Sequence, residues 1–393
     1  GTVALPFGTL NTPFNGVSGF SVDNVIGNTS LKPIFNDELE FGTEVRFFRD
    51  RIGIDATVYD KKTKGQIFTV PIAPSTGYTN LVENLGTVGN KGIELTLNAR
   101  PVETKNFGWS LIYTFAKNWN KVEELTGSVQ NPLIFGLQGG AELRAVVGKS
   151  AASIYAPIPA TTADGKVIVD ATTGLPTVNL TPLDQYGLSN GYFGSGLYDY
   201  TMGLSNTFTY KNFSVNFSLD YRYGGVMYSN TASLVLFVGN GVTTTYNDRK
   251  PFIIPNSVNA VTDASGKVTY VENQTFVGNT SGQPGQTDLT YSYYNGAQNP
   301  AGISSMTIFS KSFLKLRDLN LSYSLPRAWA GKIGASNAAI GVYGRNFLLW
   351  TPKSNVYVDP EATNLGNDLV SQFGEFAATP LSRNYGVTLK VTF

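Results

Sequence analysis

The sequence predicts an all-β chain, a stretch of transmembrane antiparallel β-barrel whose strands are joined by long extracellular loops. Three observations predict it. Apolar and polar side chains alternate with a period of two, and the alternating segments have the roughly 9–11 residues a tilted membrane strand needs. The links between them are short at one end and long at the other, as in outer-membrane barrels.

Taken in order, "ELEFGTEVRFF" places Leu39, Phe41, Val45 and Phe47 on one face, opposite Glu40, Glu44 and Arg46. "RIGIDATVYD" sets Ile52, Ile54, Ala56 and Val58 against Asp55 and Thr57. "KGIELTLNA" sets Ile93, Leu95 and Leu97 against Glu94, Thr96 and Asn98. "WSLIYTFAKNW" supplies Trp109, Leu111, Tyr113 and Phe115, and "LYDYTMGLSNTFTY" supplies Tyr198, Tyr200, Met202, Leu204, Phe208 and Tyr210. "FSVNFSLDYRY" has Phe213, Val215, Phe217, Leu219 and Tyr221 against Ser214, Asn216, Ser218, Asp220 and Arg222. "LRDLNLSYSL" gives Leu319, Leu321, Tyr323 and Leu325. "NAAIGVYGRNFLLW" reads as a strand whose facing the alternation does not fix. The terminal "RNYGVTLKVTF" alternates Tyr385, Val387, Leu389, Val391 and Phe393 with Asn384, Gly386, Thr388, Lys390 and Thr392.

About nine strands follow from this pattern. The short links are "RDR", "RPVETKNF", "KN" and "PRAWAGKIGAS"; the long ones are 68–90, 122–196, 227–311 and 351–382. The last three are expected outside the cell, and Phe393 is then expected at the periplasmic rim. Within them, "TADGKVIVD" and "TDASGKVTYVE" read as small hairpins turning at Asp164–Gly165 and Ser265–Gly266. Spanning strands must close without an edge, and nine do not make an even-numbered barrel. The chain therefore reads as a barrel piece, its missing strands expected before Gly1. The opening "GTVALPFGTLNTPFNG", with no charged and apolar leader, points the same way.

Composition narrows the function. Only 15% of residues are charged and the net charge is +1, which argues against a nucleic-acid surface. There is no Cys and no His, so thiolate chemistry, Ser-His-Asp triads and His- or Cys-ligated metals are excluded. No catalytic residue, metal or cofactor is assigned, and an enzyme is disfavoured. Aromatics gather at segment ends: Trp109, Tyr210, Phe213 and Phe393 near the short turns, Tyr221, Tyr223 and Trp350 near the long loops. That is the girdle expected at lipid headgroups, although aromatics also favour strands in soluble sheets. The opposite faces, rich in Ser, Thr, Asn and Gly, suit a lumen.

Candidate substrate contacts are Tyr291, Tyr293 and Tyr294 of "YSYYNG", whose rings could stack on sugars, and Asp220 and Arg222 on the lumen side. Against these stand plainer readings: solvated loop tyrosines, and charges paired with neighbouring strands. "DPEATNLGND" (359–368) clusters oxygen ligands without the spacing of a calcium loop, and reads as a polar loop.

Five blocks, in order, resemble SusC-like TonB-dependent transporters of the Bacteroidetes. They are "LKPIFNDELEFGTEVRFFRDRIGIDATVYDKKTKGQIF", "ENLGTVGNKGIELTLNARP", "SFLKLRDLNLSYSLP", "VYGRNFLLWT" and "PLSRNYGVTLKVTF", and together they span about residues 31 to 393. The resemblance implies that 1–393 supply roughly the last nine of about 22 barrel strands, with the family's plug domain and TonB box outside this chain. It implies nutrient import of an oligosaccharide or peptide. The implied partners are a SusD-like surface lipoprotein, the TonB complex, outer-membrane lipid and a dimer of transporter–lipoprotein pairs. Phe393 would be the signal read by the barrel-assembly machinery. The competing reading is an all-β surface protein, adhesin or lectin-like, with no transport role.

Overall fold

A computed structural model describes residues 7–9, 20–22, 24–126, 131–136, 140–185, 187–250, 252–277 and 304–393. Its main feature is a curtain of nine long strands: β1 (Phe35–Phe47), β2 (Ile52–Pro71), β3 (Asn80–Glu103), β4 (Phe107–Leu125), β5 (Tyr200–Tyr210), β6 (Phe213–Tyr223), β7 (Phe313–Ser324), β8 (Asn337–Trp350) and β9 (Asn384–Thr392). Each pairs antiparallel with its sequence neighbour, so the sheet order is the chain order from β1 to β9. The sheet is not closed, and β1 and β9 are its two edges. No helix among the described residues is long and apolar enough to cross a membrane.

The register keeps the alternation coherent across the curtain. Ala56, Leu95, Phe115, Met202, Tyr221, Leu314 and Trp350 fall in one row. Leu111, Asn206, Phe217, Leu319, Gly344 and Tyr385 form a lower one. The opposite face is the inner one, because the long loops pack on it. At the upper end Val88 and Val122 are buried with Ala145 and Ala151, and Asn120 Oδ1 accepts from the Ala151 N–H at 2.8 Å. Among the described residues nothing covers the outer face, and Leu39, Phe41, Val387 and Leu389 are well exposed. Tyr200 and Tyr210 bound the outward face of β5, ten residues apart. At about 3.3 Å per residue and a tilt of about 40°, that spans about 25 Å, the height of a lipid-facing band.

On β5 a polar side chain stands in that band. Asn206 is nearly buried, and its carbonyl oxygen accepts from Trp109 Nε1–H at 3.1 Å, so the neighbouring strand satisfies it. On the inner face, Gly92 lets the Tyr59 ring lie flat across its backbone, where a Cβ would collide with it.

The short links fall where expected, with Phe48, Arg49, Asp50 and Lys211 in left-handed backbone, although "RPVETKNF" narrows to residues 104–106 because β3 runs on to Glu103. The link expected over 68–90 is mostly strand: β2 runs to Pro71 and β3 starts at Asn80, because both continue above the apolar band. The facing of β8 resolves from its register with β7, which holds across a bulge. Asn346 takes φ of 50°, and one pairing step is lost between Leu316/Leu348 and Asp318/Arg345. Ile340 and Val342 below it and Leu348 and Trp350 above it then share the outer face.

The long loops have a core of their own. Leu143 and Ile154 of the first pack with Tyr228 and Ile308 of the second and Phe373 of the third. "TDASGKVTYVE" forms the expected hairpin, Ser257–Thr262 against Val268–Glu272. "TADGKVIVD" makes its turn at Gly165 but only one antiparallel bridge, Thr161 to Val167. Its strand Val167–Val169 instead runs parallel to Ser257–Thr262, completing a three-stranded sheet.

Candidate functional site

The densest polar construction lies on the inner face of β6 and β7, at their upper ends, where the third long loop enters the mouth. Alternation points Asp220 and Arg222 inward from β6, level with Lys315 and Phe313 of β7. In β7 the pairing skips Arg317, so Lys315, Arg317 and Asp318 all take inward positions. Onto these cations the loop lowers Asp359 and Glu361. Lys315 Nζ donates to Asp359 Oδ2 at 2.7 Å and to Glu361 Oε2 at 2.5 Å. Arg317 donates to Glu361 Oε1 at 2.6 Å and also to Asp220. Arg222 reaches Glu361 Oε1 at 3.0 Å and Asp220 at 3.2 Å.

Lys315 is almost wholly buried, at 1% exposure, with the Phe313 ring 5.1 Å from its ammonium. A buried charge is tolerated only when paired, and here two carboxylates serve it. Burial pushes the Glu361 carboxyl up, but the Arg317 and Lys315 hydrogen bonds outweigh it and hold it at about 2. Lys311, just before β7, binds the other loops. Its Nζ donates to Gly196 O at 2.9 Å in the first and to Gln372 Oε1 at 3.0 Å in the third. Burial, aided by Arg222, lowers its pKa to about 8. Tyr198 beside it is shifted upward, chiefly by burial. A second tie is Glu375, fully buried, which accepts from Ser229 Oγ at 2.5 Å, Thr231 N–H at 2.9 Å and Thr231 Oγ1 at 2.8 Å. It joins the third loop to the start of α1 (Asn230–Phe237) in the second.

The clamp is an anchoring device rather than a reaction centre: every charge in it is met by an opposite one. Asp220 and Arg222, read in the sequence as substrate contacts or paired charges, are engaged with Arg317 and Glu361. Tyr291, Tyr293 and Tyr294 lie outside the described residues. Asp359, weighed as a calcium ligand, is taken by Lys315, and no acidic cluster placed to hold a metal occurs among the described residues. Sequence reading missed Lys315, Arg317 and Glu361. The signal was there, two inward cations in "FLKLRD" facing two acids in "DPEA", but their pairing spans 44 and 46 residues. Toward the short turns the inner face opens into a 470 Å³ concavity lined by Glu44, Arg46, Asp55 and Arg100, with Arg46 and Glu44 paired at 2.7 Å.

Of the girdle candidates, Tyr210 and Phe213 face each other across the lowest turn of β5–β6, and Trp109 stacks on Phe208 one row above. Tyr221 and Trp350 share one row, just below Tyr200 and Tyr223, and Phe393, 85% exposed, follows the end of β9.

Such a curtain, outwardly apolar and inwardly capped by its own loops, defines a wall segment of an outer-membrane β-barrel. A family model described as TonB dependent receptor-like, beta-barrel, matches residues 4–221, and the chain belongs to that family. A TonB-dependent receptor of Formosa agariphila is 25% identical over 400 residues, covering 98% of this chain and 37% of that protein. The TonB-dependent receptor SusC of Bacteroides thetaiotaomicron is 28% identical over 253 residues, covering 56% of this chain and 24% of SusC. Among solved structures, the RagAB peptide transporter aligns with 98% of this chain and 38% of its own, with a TM-score of 0.64 and 18% identity. The RagAB peptide importer in its open-open state gives 0.62 and 20%. The chain thus spans little more than a third of the proteins it matches along nearly its whole length.

Proposed function

We propose that this chain forms the wall and loop cap of a SusC-like importer, an active outer-membrane transporter for oligosaccharides or peptides that works with a SusD-like surface lipoprotein. The observation that carries the proposal is the clamp. A barrel that only anchored an adhesin would gain nothing from lowering Glu361 and Asp359 onto the inner wall. A transporter needs a folded mouth that presents a shaped surface to a lid and keeps the lumen route defined. In this reading solute is captured between loops and lipoprotein and released inward when a plug, supplied outside these residues, yields to the TonB complex. The same reading includes a dimer of transporter–lipoprotein pairs, as the resemblance to SusC-like transporters implies. Trp109, Tyr210, Phe213, Tyr221, Trp350 and Phe393 serve as headgroup anchors. Tyr291, Tyr293 and Tyr294 remain candidates for solute contact. No step of bond chemistry is assigned.

The test is uptake by cells making the intact protein, supplied with labelled peptides or oligosaccharides, with and without TonB function. TonB-dependent uptake of one class, together with co-purification of a surface lipoprotein, is the expected result. Unchanged uptake on deletion of the protein would remove the importer reading.

A further inference from the structure

The outer face of the wall differs from one side to the other. On β5–β8 the apolar band ends upward in Tyr200, Tyr221, Tyr223 and Trp350. On β2–β4 it ends in lysines. Register puts Lys117 level with Ile93, Trp119 with Lys91 and Asp60 one row higher, and Lys121 with Gly89 and Lys62 above that. All follow the parity of Trp109, Leu111 and Phe115, so all point away from the lumen. Lys91 is paired with Asp60 at 2.8 Å and Lys62 with Glu123 at 2.9 Å, in exposed geometry where such pairs are weak. Lys117 and Lys121 have no carboxylate within salt-bridge distance among the described residues. They bracket Trp119, which is 48% exposed and carries the Lys117 ammonium 4.7 Å from its ring centroid.

We propose that Lys117, Trp119 and Lys121, flanked by Lys91, form a binding site for the phosphorylated sugar headgroup of an outer-leaflet glycolipid. Each part matches that chemistry. The exposed indole at the top of an apolar band gives a flat face for a sugar ring at the depth where Trp prefers to sit. The unpaired ammoniums, on stems long enough to reach past the ring, meet phosphate oxygens. The acyl chains continue down onto Ile93, Leu95, Tyr113 and Phe115, the same outward face. The proposal rests on the membrane position of the wall and not on what the barrel transports.

The experiment is a lipid titration of the intact protein in detergent, read by native mass spectrometry. The probes are bisphosphorylated lipid A and the same lipid without its phosphates. The expected result is phosphate-dependent binding that falls about ten-fold or more in Lys117→Gln/Lys121→Gln. Trp119→Ala should lose several-fold, and Lys332→Gln, in a short turn at the far end, should bind as the unaltered protein does. Heat-modifiable migration checks the fold, and Lys117→Arg/Lys121→Arg, which keeps the charge, should restore binding. Equal binding of the two lipids, or full binding by the double Gln variant, would overturn the site. So would a double variant that loses a co-purifying protein while keeping its lipid, which would make the patch a protein contact.

Discussion

The two halves of the wall solve the problem of the barrel mouth differently. In β2–β4 the strands continue well above the apolar band, and the inner face of that extension holds the first loop by apolar contact: Val70, Val88, Val122 and Leu125 against Ala145 and Ala151. In β5–β9 the strands stop near the band, and the third loop is held by charge, through Lys315, Arg317 and Arg222 on Asp359 and Glu361. Long strands supply surface, so burial suffices there. Short strands supply only a rim, and a rim needs few but strong directional contacts. The two fastenings should therefore respond differently to the same perturbations.

The largest effect should come from removing the acid shared by three cations. Glu361→Gln leaves Lys315 and Arg317 under-compensated and should cost about 3 kcal/mol of loop docking. Limited proteolysis should then cut 351–382 faster while the apolar-held first loop stays protected. Glu375→Gln loses a buried charge-assisted acceptor and should cost about 2 kcal/mol. Its signature is looser coupling of the second and third loops, read by hydrogen exchange in 229–237. Trp109→Phe strands the Asn206 carbonyl and should cost about 1 kcal/mol in refolding titrations, whereas Asn206→Leu should be neutral or stabilising. Arg46→Ala, in an exposed pair, should change stability immeasurably.

Acidity sharpens the same contrast. The Glu361 carboxyl lies at about 2 in the folded mouth against about 4.3 unfolded. Its contribution is therefore fully present above about pH 4.3 and is lost as pH falls toward 2. Lys311 runs the other way. With a folded value of about 8, below its unfolded one, its burial penalises folding most under pH 8 and is relieved between there and about pH 10.4. Proteolytic protection of the third loop should erode below about pH 4, while the first loop should not follow it.

The wall was legible because alternation is a local property: the outward parity of Tyr385, Val387 and Leu389, or of Phe213 to Tyr221, needs no knowledge of the partner strand. What failed was what depends on a partner. The bulge at Arg317 in β7 breaks parity inside one strand, so that Leu316 and Leu319 both face outward, and it can be placed only by the register of its neighbours. The end of β2 at Pro71 was misjudged because above the apolar band its outer face turns from Ala56 and Val58 to Asp60 and Lys62. The site was half legible. Asp220 and Arg222 stood out as charges on a lumen face, but Asp220 is met by Arg317 of the next strand and Arg222 by Glu361 of a loop more than a hundred residues further on. The shared core of Leu143, Tyr228 and Phe373 left no trace, since it is assembled from three loops far apart in the sequence.

Strand β6 is a membrane wall strand with lipid on one face and lumen on the other, and that can be read residue by residue. The sequence has no Cys, so single cysteines can be placed along 213–219 without background from these residues. In intact protein reconstituted into vesicles, a membrane-impermeant maleimide should react at positions 214, 216 and 218 and spare 213, 215, 217 and 219. Labelling without that two-residue period, or with its phase reversed, would contradict the account.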